Sequence, residues 1–190
     1  MGTAIEARVP RLPIDASVRI GEEAEVPANL SELSIFRVLL HHPRLAKAVY
    51  GMLSTLLFGS KLDVRLRELV IMRIGWVTGS VYEWTQHWRV AKALGVDEAD
   101  LLAVREWRTA GRFGEPERAV LAATDETLAT GIISPETWAA CEAQISGREE
   151  LLELVAAIGT WRMISSLLRS LEIPLEDGVE PWPPDAQQPR

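Results

Sequence analysis

Between Arg65 and Gly95 the sequence RLRELVIMRIGWVTGSVYEWTQHWRVAKALG gathers four side chains that could move protons: Glu68, Ser80, Glu83 and His87. A neutral imidazole accepts and returns a proton near neutral pH, and a carboxylate beside it can fix its tautomer or share in the transfer. Ser80, Glu83 and His87 stand at i, i+3 and i+7, so on a helix they share one face. Glu68 lies one short helix upstream and can face His87 across a hairpin. On this pattern His87 is a candidate general acid or base, Glu68 the group that orients it, and Glu83 a second acid–base group. Tyr82 and Ser80 are candidate hydrogen-bond donors beside these groups. Trp84, with Trp88, is expected to wall the pocket, so Tyr82, Ser80 and Trp84 are the expected substrate contacts.

Each of these residues also has a purely structural explanation. Ser80-Val81-Tyr82-Glu83 fits a capping box, in which Ser80 and Glu83 satisfy free backbone donors at a helix start. Glu68, flanked by Arg65 and Arg73, can sit in a surface ion pair, and His87 can be a half-buried histidine bonded to a carboxylate. Two ionised carboxylates would repel an anionic substrate unless one is protonated or Arg65, Arg73 or Arg89 compensates. No metal is expected: His41 and His42 are adjacent, and neighbours on a helix point about 100° apart. The lone Cys141 excludes an internal disulfide and reads as a small buried apolar residue.

The elements that position these groups are helices. Helical spacing runs from Ser31 to Leu40, from Arg44 to Phe58, from about Asp63 to Val77, and from Val81 to Leu94. Asp97 caps a helix reaching about Trp107, Glu115 to Thr130 forms another that Gly131 stops, and Ser134-Pro135 opens one ending near Gln144. The last runs from about Arg148 to Leu171. No segment alternates with period two, so the fold is all-α, with a central helical hairpin over about residues 63 to 94. Residues 1 to 29, with prolines and no sustained period, suit an extended arm, residues 30 to 173 form one domain, and residues 174 to 190 form a Pro-rich tail.

A net charge of -7 over 190 residues argues against nucleic acid. No apolar run approaches the roughly 20 residues of a membrane span, and Met1-Gly2-Thr3 is a poor myristoylation start because Glu6 replaces the wanted Ser or Thr. A soluble protein of a reducing compartment, the cytoplasm, is expected. Seven tryptophans are expected to fill a core or a subunit interface.

The order Glu68, then Ser80-x-x-Glu83-x-x-x-His87, resembles the carboxymuconolactone decarboxylase and alkyl hydroperoxidase D (AhpD-like) superfamily. LLHHPRL, LRELVIMRIG, YEWTQHWRVAKALGV and DEADLLAV extend the resemblance over roughly residues 30 to 170. In the peroxidase branch a Cys-x-x-Cys pair stands where this chain has Ser80 and Glu83, and neither residue can form a disulfide or a sulfenic acid. The resemblance therefore implies the branch without active-site cysteines: a multi-helix bundle, no cofactor, a homo-oligomer (trimer or hexamer), and a lyase acting on a small carboxylated or carbonyl-bearing compound. The alternative is a non-catalytic protein that kept the scaffold and binds a small molecule or a partner.

Overall fold

The computed structural model describes residues 6 to 189; Met1-Gly2-Thr3 lies outside them. Among the described residues there are ten α-helices, one 3-10 turn and no strand. The helices are α1 (Ile14–Glu23), α2 (Ala28–Ser31), α3 (Ser34–Leu39), α4 (Pro43–Phe58), α5 (Val64–Thr78), α6 (Val81–Ala93), α7 (Glu98–Ala103), α8 (Glu115–Thr130), α9 (Pro135–Gln144) and α10 (Arg148–Ser170). The fold is all-α, and the expected helices from Ser31 onward are present with shifts of a few residues at their ends. The chain divides into two compact units: one runs to Phe58 and takes in Ser166–Val179, the other is Gly59–Ser165 with the stretch from Glu180.

In the first unit, the expected extended arm is partly helical, because residues 14 to 23 form α1 behind Pro13. The buried positions of α1 are Ser17 and Gly21. A Cβ on Gly21 would meet Ser31 Oγ at 2.0 Å, so α2 packs against bare backbone. The helix is short, ten residues between Pro13 and Ala24, and its fully buried positions are small rather than large apolar ones. The extended residues before it are pinned to their own chain, with Arg8 N donating to Leu171 O at 2.8 Å and Leu12 N to Arg37 O at 3.0 Å. His41 Nε2 donates to the Pro10 carbonyl at 2.8 Å, and His42 Nδ1 accepts from Leu45 N at 3.2 Å at the start of α4.

The second unit is built on the α5–α6 hairpin. Asp63 caps α5 by accepting from Leu66 N at 2.9 Å. Gly79, at φ +67°, ends it in the left-handed conformation that glycine adopts at little cost. Two bonds close the turn: Gly79 N donates to Trp76 O at 3.1 Å and Ser80 N to Gly75 O at 2.9 Å. Gly75 also lets the two helices approach, since a Cβ there would lie 3.1 Å from Trp84 N and 3.4 Å from Glu83 Cβ. The start of α6 is thereby held tight against the end of α5.

α8 packs on α5 and α9 on α8. α10 buries Leu154, Ala157, Ile158 and Trp161. Its 23 residues are long and apolar enough to cross a membrane by length and composition, though half of that stretch is buried in the protein. Glu153 and Arg162 interrupt the run, so the sequence shows no unbroken apolar segment of that length. The Pro-rich stretch from Glu180 lies against its own chain: Trp182 N donates to Thr85 Oγ1 at 3.2 Å, and Arg105 pairs with both oxygens of Asp185 at 2.8 and 3.0 Å.

Candidate acid–base site

All the groups of the site lie in the second unit. From α5, Glu68 is fully buried beside Arg67. Arg67 Nε and Nη2 donate to Glu68 Oε1 at 3.1 and 2.9 Å. The other oxygen, Oε2, accepts from His87 Nδ1 of α6 at 2.8 Å. His87 Nε2 in turn accepts from the indole N–H of Trp161 on α10 at 3.0 Å. Because the indole can only donate, Nε2 carries a lone pair and the proton sits on Nδ1. The result is a chain of four groups, Arg67, Glu68, His87 and Trp161, in which every bond direction is fixed.

Glu83, one turn before His87, is 3 % exposed, and its Oε2 has no hydrogen-bond partner. Ser80, 1 % exposed, likewise leaves its hydroxyl unpartnered. The capping box is therefore not formed. The reason lies in the turn: Ser80 N–H, the donor that Glu83 would satisfy, is already taken by Gly75 O. A third free hydroxyl, Ser165 Oγ, is buried on the same face of α10 as Trp161, one turn further on.

Burial dominates the electrostatics. It pushes the Glu83 carboxyl up to about 8, with His87 opposing and Glu68 reinforcing the shift, so the acid keeps its proton at neutral pH. For Glu68, burial works the same way but is outweighed by the charge and hydrogen bond of His87 and then of Arg67, which hold it below the usual carboxylate range. Burial disfavours the charged form of His87, yet the charge and hydrogen bond of Glu68, followed by the charge of Glu83, raise it above the ordinary histidine value against the pull of Arg67. The repulsion of an anionic substrate anticipated from two ionised carboxylates is thus relieved: Glu83 keeps its proton and Glu68 is balanced by Arg67.

Several expected assignments change. Arg65 bonds Asp100 and Glu117, and Arg73 bonds Asp125 together with the carbonyls of Val104 and Arg105, so neither serves the site. The surface ion pair anticipated for Glu68 is a buried one with Arg67. The ring contacts of Trp84, the expected wall beside His87, lie elsewhere. Trp84 packs against Trp76, Trp88 and Trp182 with ring centroids 5.4, 6.1 and 5.9 Å away, under the guanidinium of Arg105, and donates to Pro183 O. The wall belongs to Trp161, whose ring meets His87 edge-on at 5.6 Å. Tyr82 is buried on the first turn of α6. One sign of Trp161 was available beforehand: an indole on the buried stripe of α10 needs an acceptor for its N–H. Nothing marked Arg67 or Ser165. Cys141 is buried on α9, its thiol pushed up to about 11 by burial, so it is no substitute for the missing cysteine pair. A cleft of about 450 Å³ between α8 and α9, lined by Trp107, Arg118, Ala119, Glu136 and Ala140, includes none of these groups.

The family model of the carboxymuconolactone decarboxylase family matches residues 43–126, which contain Glu68, Ser80, Glu83 and His87. Over that segment, rather less than half of the chain, the sequence is similar to the carboxymuconolactone decarboxylase family. Trp161 and Ser165 lie beyond the matched segment. No curated protein matches the chain. Among solved structures, an uncharacterized peroxidase-related protein from Silicibacter sp. TM1040 is 13% identical with TM-score 0.74, covering 94% of this chain and 97% of that one. The alkylhydroperoxidase AhpD core from Ralstonia eutropha JMP134 is 14% identical with TM-score 0.71, covering 92% and 95%. A debrominase, Bmp8, in an alanine-for-cysteine variant bound to 2,3,4-tribromopyrrole, is 19% identical with TM-score 0.68, covering 93% and 94%. These likenesses show the helical fold alone.

Proposed function

We propose that this protein is a cofactor-independent acid–base enzyme, a lyase acting on a small carbonyl-bearing or carboxylated compound. The observation that carries the reading is Glu83, a buried carboxyl that holds a proton at neutral pH and has an oxygen without a partner. A neutral, buried carboxylic acid is a hydrogen-bond donor to a carbonyl oxygen, and it strengthens that bond as the oxygen becomes enolate-like. Ser80 offers a second free hydroxyl on the same helix face. Loss of CO2 from a β-keto acid needs a donor at the carbonyl and a proton for the carbanion left behind. Glu83 fills the first role; His87 fills the second once Nε2 has taken up a proton from solvent, while the Nδ1 proton stays with Glu68. A substrate of modest size suits a fold that, in the debrominase, holds a substituted pyrrole. Exposed Leu45, Met52 and Phe58 on α4 support a homo-oligomer of the kind the resemblance implies.

The test is turnover across a panel of β-keto acids and carboxylated lactones, with Glu83→Gln beside the unaltered protein. Loss of turnover with substrate binding retained supports the reading. Full turnover in Glu83→Gln refutes the role given to Glu83, and binding without turnover in the unaltered protein favours a non-catalytic binder.

A further inference from the structure

His87 is held by two partners that pull its protonation in opposite directions. Glu68, accepting from Nδ1 at 2.8 Å, favours the imidazolium; Trp161, donating to Nε2 at 3.0 Å, can bond only the neutral ring. An imidazolium would turn a second N–H toward the indole N–H, leaving two donors face to face. Trp161 is 1 % exposed on the core side of α10, so its indole cannot turn to water for another acceptor without moving the helix face.

We propose that Trp161 is a positioning residue that caps the His87 lone pair at rest and must withdraw its N–H before Nε2 can take up a proton. The inference rests on the acid–base reading of the site and adds a control step to it. A substrate oxygen entering beside His87 supplies the replacement acceptor: it takes the indole N–H and leaves Nε2 free. The charged or titratable groups facing the ring are Glu68 and Arg67 of α5 and Glu83 of α6, and Trp161 is the partner from α10. Among the described residues, Trp161 is the partner that opposes protonation of the ring through a neutral hydrogen bond, and removing it should act in one direction only.

The experiment is nitrogen-15 NMR of the full chain without substrate. In the unaltered protein at high pH, Nδ1 should appear as the protonated nitrogen and Nε2 as the bare one. The Trp161 indole N–H should shift with the same midpoint as His87 as the pH falls. In Trp161→Phe, which keeps the ring and loses the donor, the His87 midpoint should rise by about one unit, the worth of one hydrogen bond. An unmoved or lowered midpoint overturns the proposal, as does an indole signal that ignores the His87 titration. If Trp161→Phe does not fold, co-titration in the unaltered protein decides alone. Because no substrate is present, a positive result stands even if the turnover panel fails, and a negative one leaves the turnover result intact.

Discussion

Replacing Glu83 with glutamine removes a group that the folded chain tolerates only in its protonated form. Its carboxyl is moved from the ordinary 4.5 to about 8 by burial. The folded state therefore binds one more proton than the unfolded state between those two values, and stability falls as the pH rises through that window. At about 1.4 kcal/mol per pKa unit the full shift is worth roughly 5 kcal/mol, of which about 4 kcal/mol is spread between pH 5 and pH 9. Glutamine does not titrate, so its own cost as a buried amide is the same at both ends and cancels from the comparison. Urea unfolding of both proteins at pH 5, 7 and 9 reads the effect directly. Glu83→Gln should gain on the unaltered protein by about 4 kcal/mol from pH 5 to pH 9. A difference constant to within about 1 kcal/mol would show that Glu83 finds water or a partner when ionised, and the proton donor assigned to the site would be lost with it.

Glu68→Gln takes the negative charge from a buried arginine and should cost about 3 kcal/mol in urea unfolding, while moving the His87 midpoint down; an unchanged midpoint would separate the two residues. In the unaltered protein, the stability contributed by Glu68 is present above the ordinary carboxylate pKa and lost as the pH falls through its lowered value, so acid unfolding should begin later in Glu68→Gln than its lower starting stability implies. Trp182→Ala opens the cluster of Trp76, Trp84 and Trp182 and should cost about 3 kcal/mol, with a change in tryptophan fluorescence. A cost under about 1 kcal/mol would mean that the C-terminal stretch does not hold the outer face of α6.

The helices were legible because their signals are local. Asp63, Asp97 and Ser134 each cap a helix, accepting from Leu66 N, Ala99 N and Thr137 N, and Gly79 and Gly131 each end one. Spacing placed Glu68 opposite His87, and the pair is bonded. What the sequence could not show depends on how distant segments meet. Trp161 is 74 positions from His87, and Trp182 is 97 from Thr85; no periodicity links such residues. The same limit misassigned Trp84: spacing puts it near His87 on α6, whereas the Trp182 ring arriving from the C-terminal stretch fixes which side it packs on. Helix α1 was missed for another reason: it is only ten residues long, its fully buried positions Ser17 and Gly21 are small, and the prolines around it, Pro10, Pro13 and Pro27, read as an extended segment.

The capping box shows how a correct motif can give the wrong role. Ser80 and Glu83 have the residue types and spacing to satisfy each other's backbone, and in an isolated helix they would. The Gly79 turn bonds Ser80 N–H to Gly75 O before Glu83 can reach it, and the bare Gly75 backbone then draws Glu83 against α5. Each of the two side chains thus keeps a buried oxygen without a partner, at a cost of about 1 to 3 kcal/mol. An apolar pair at these positions would fill the same space without that cost. The turn that makes the cap redundant is what leaves Glu83 and Ser80 free to bind something else, and Glu68, Arg67 and His87 set the field in which that binding occurs.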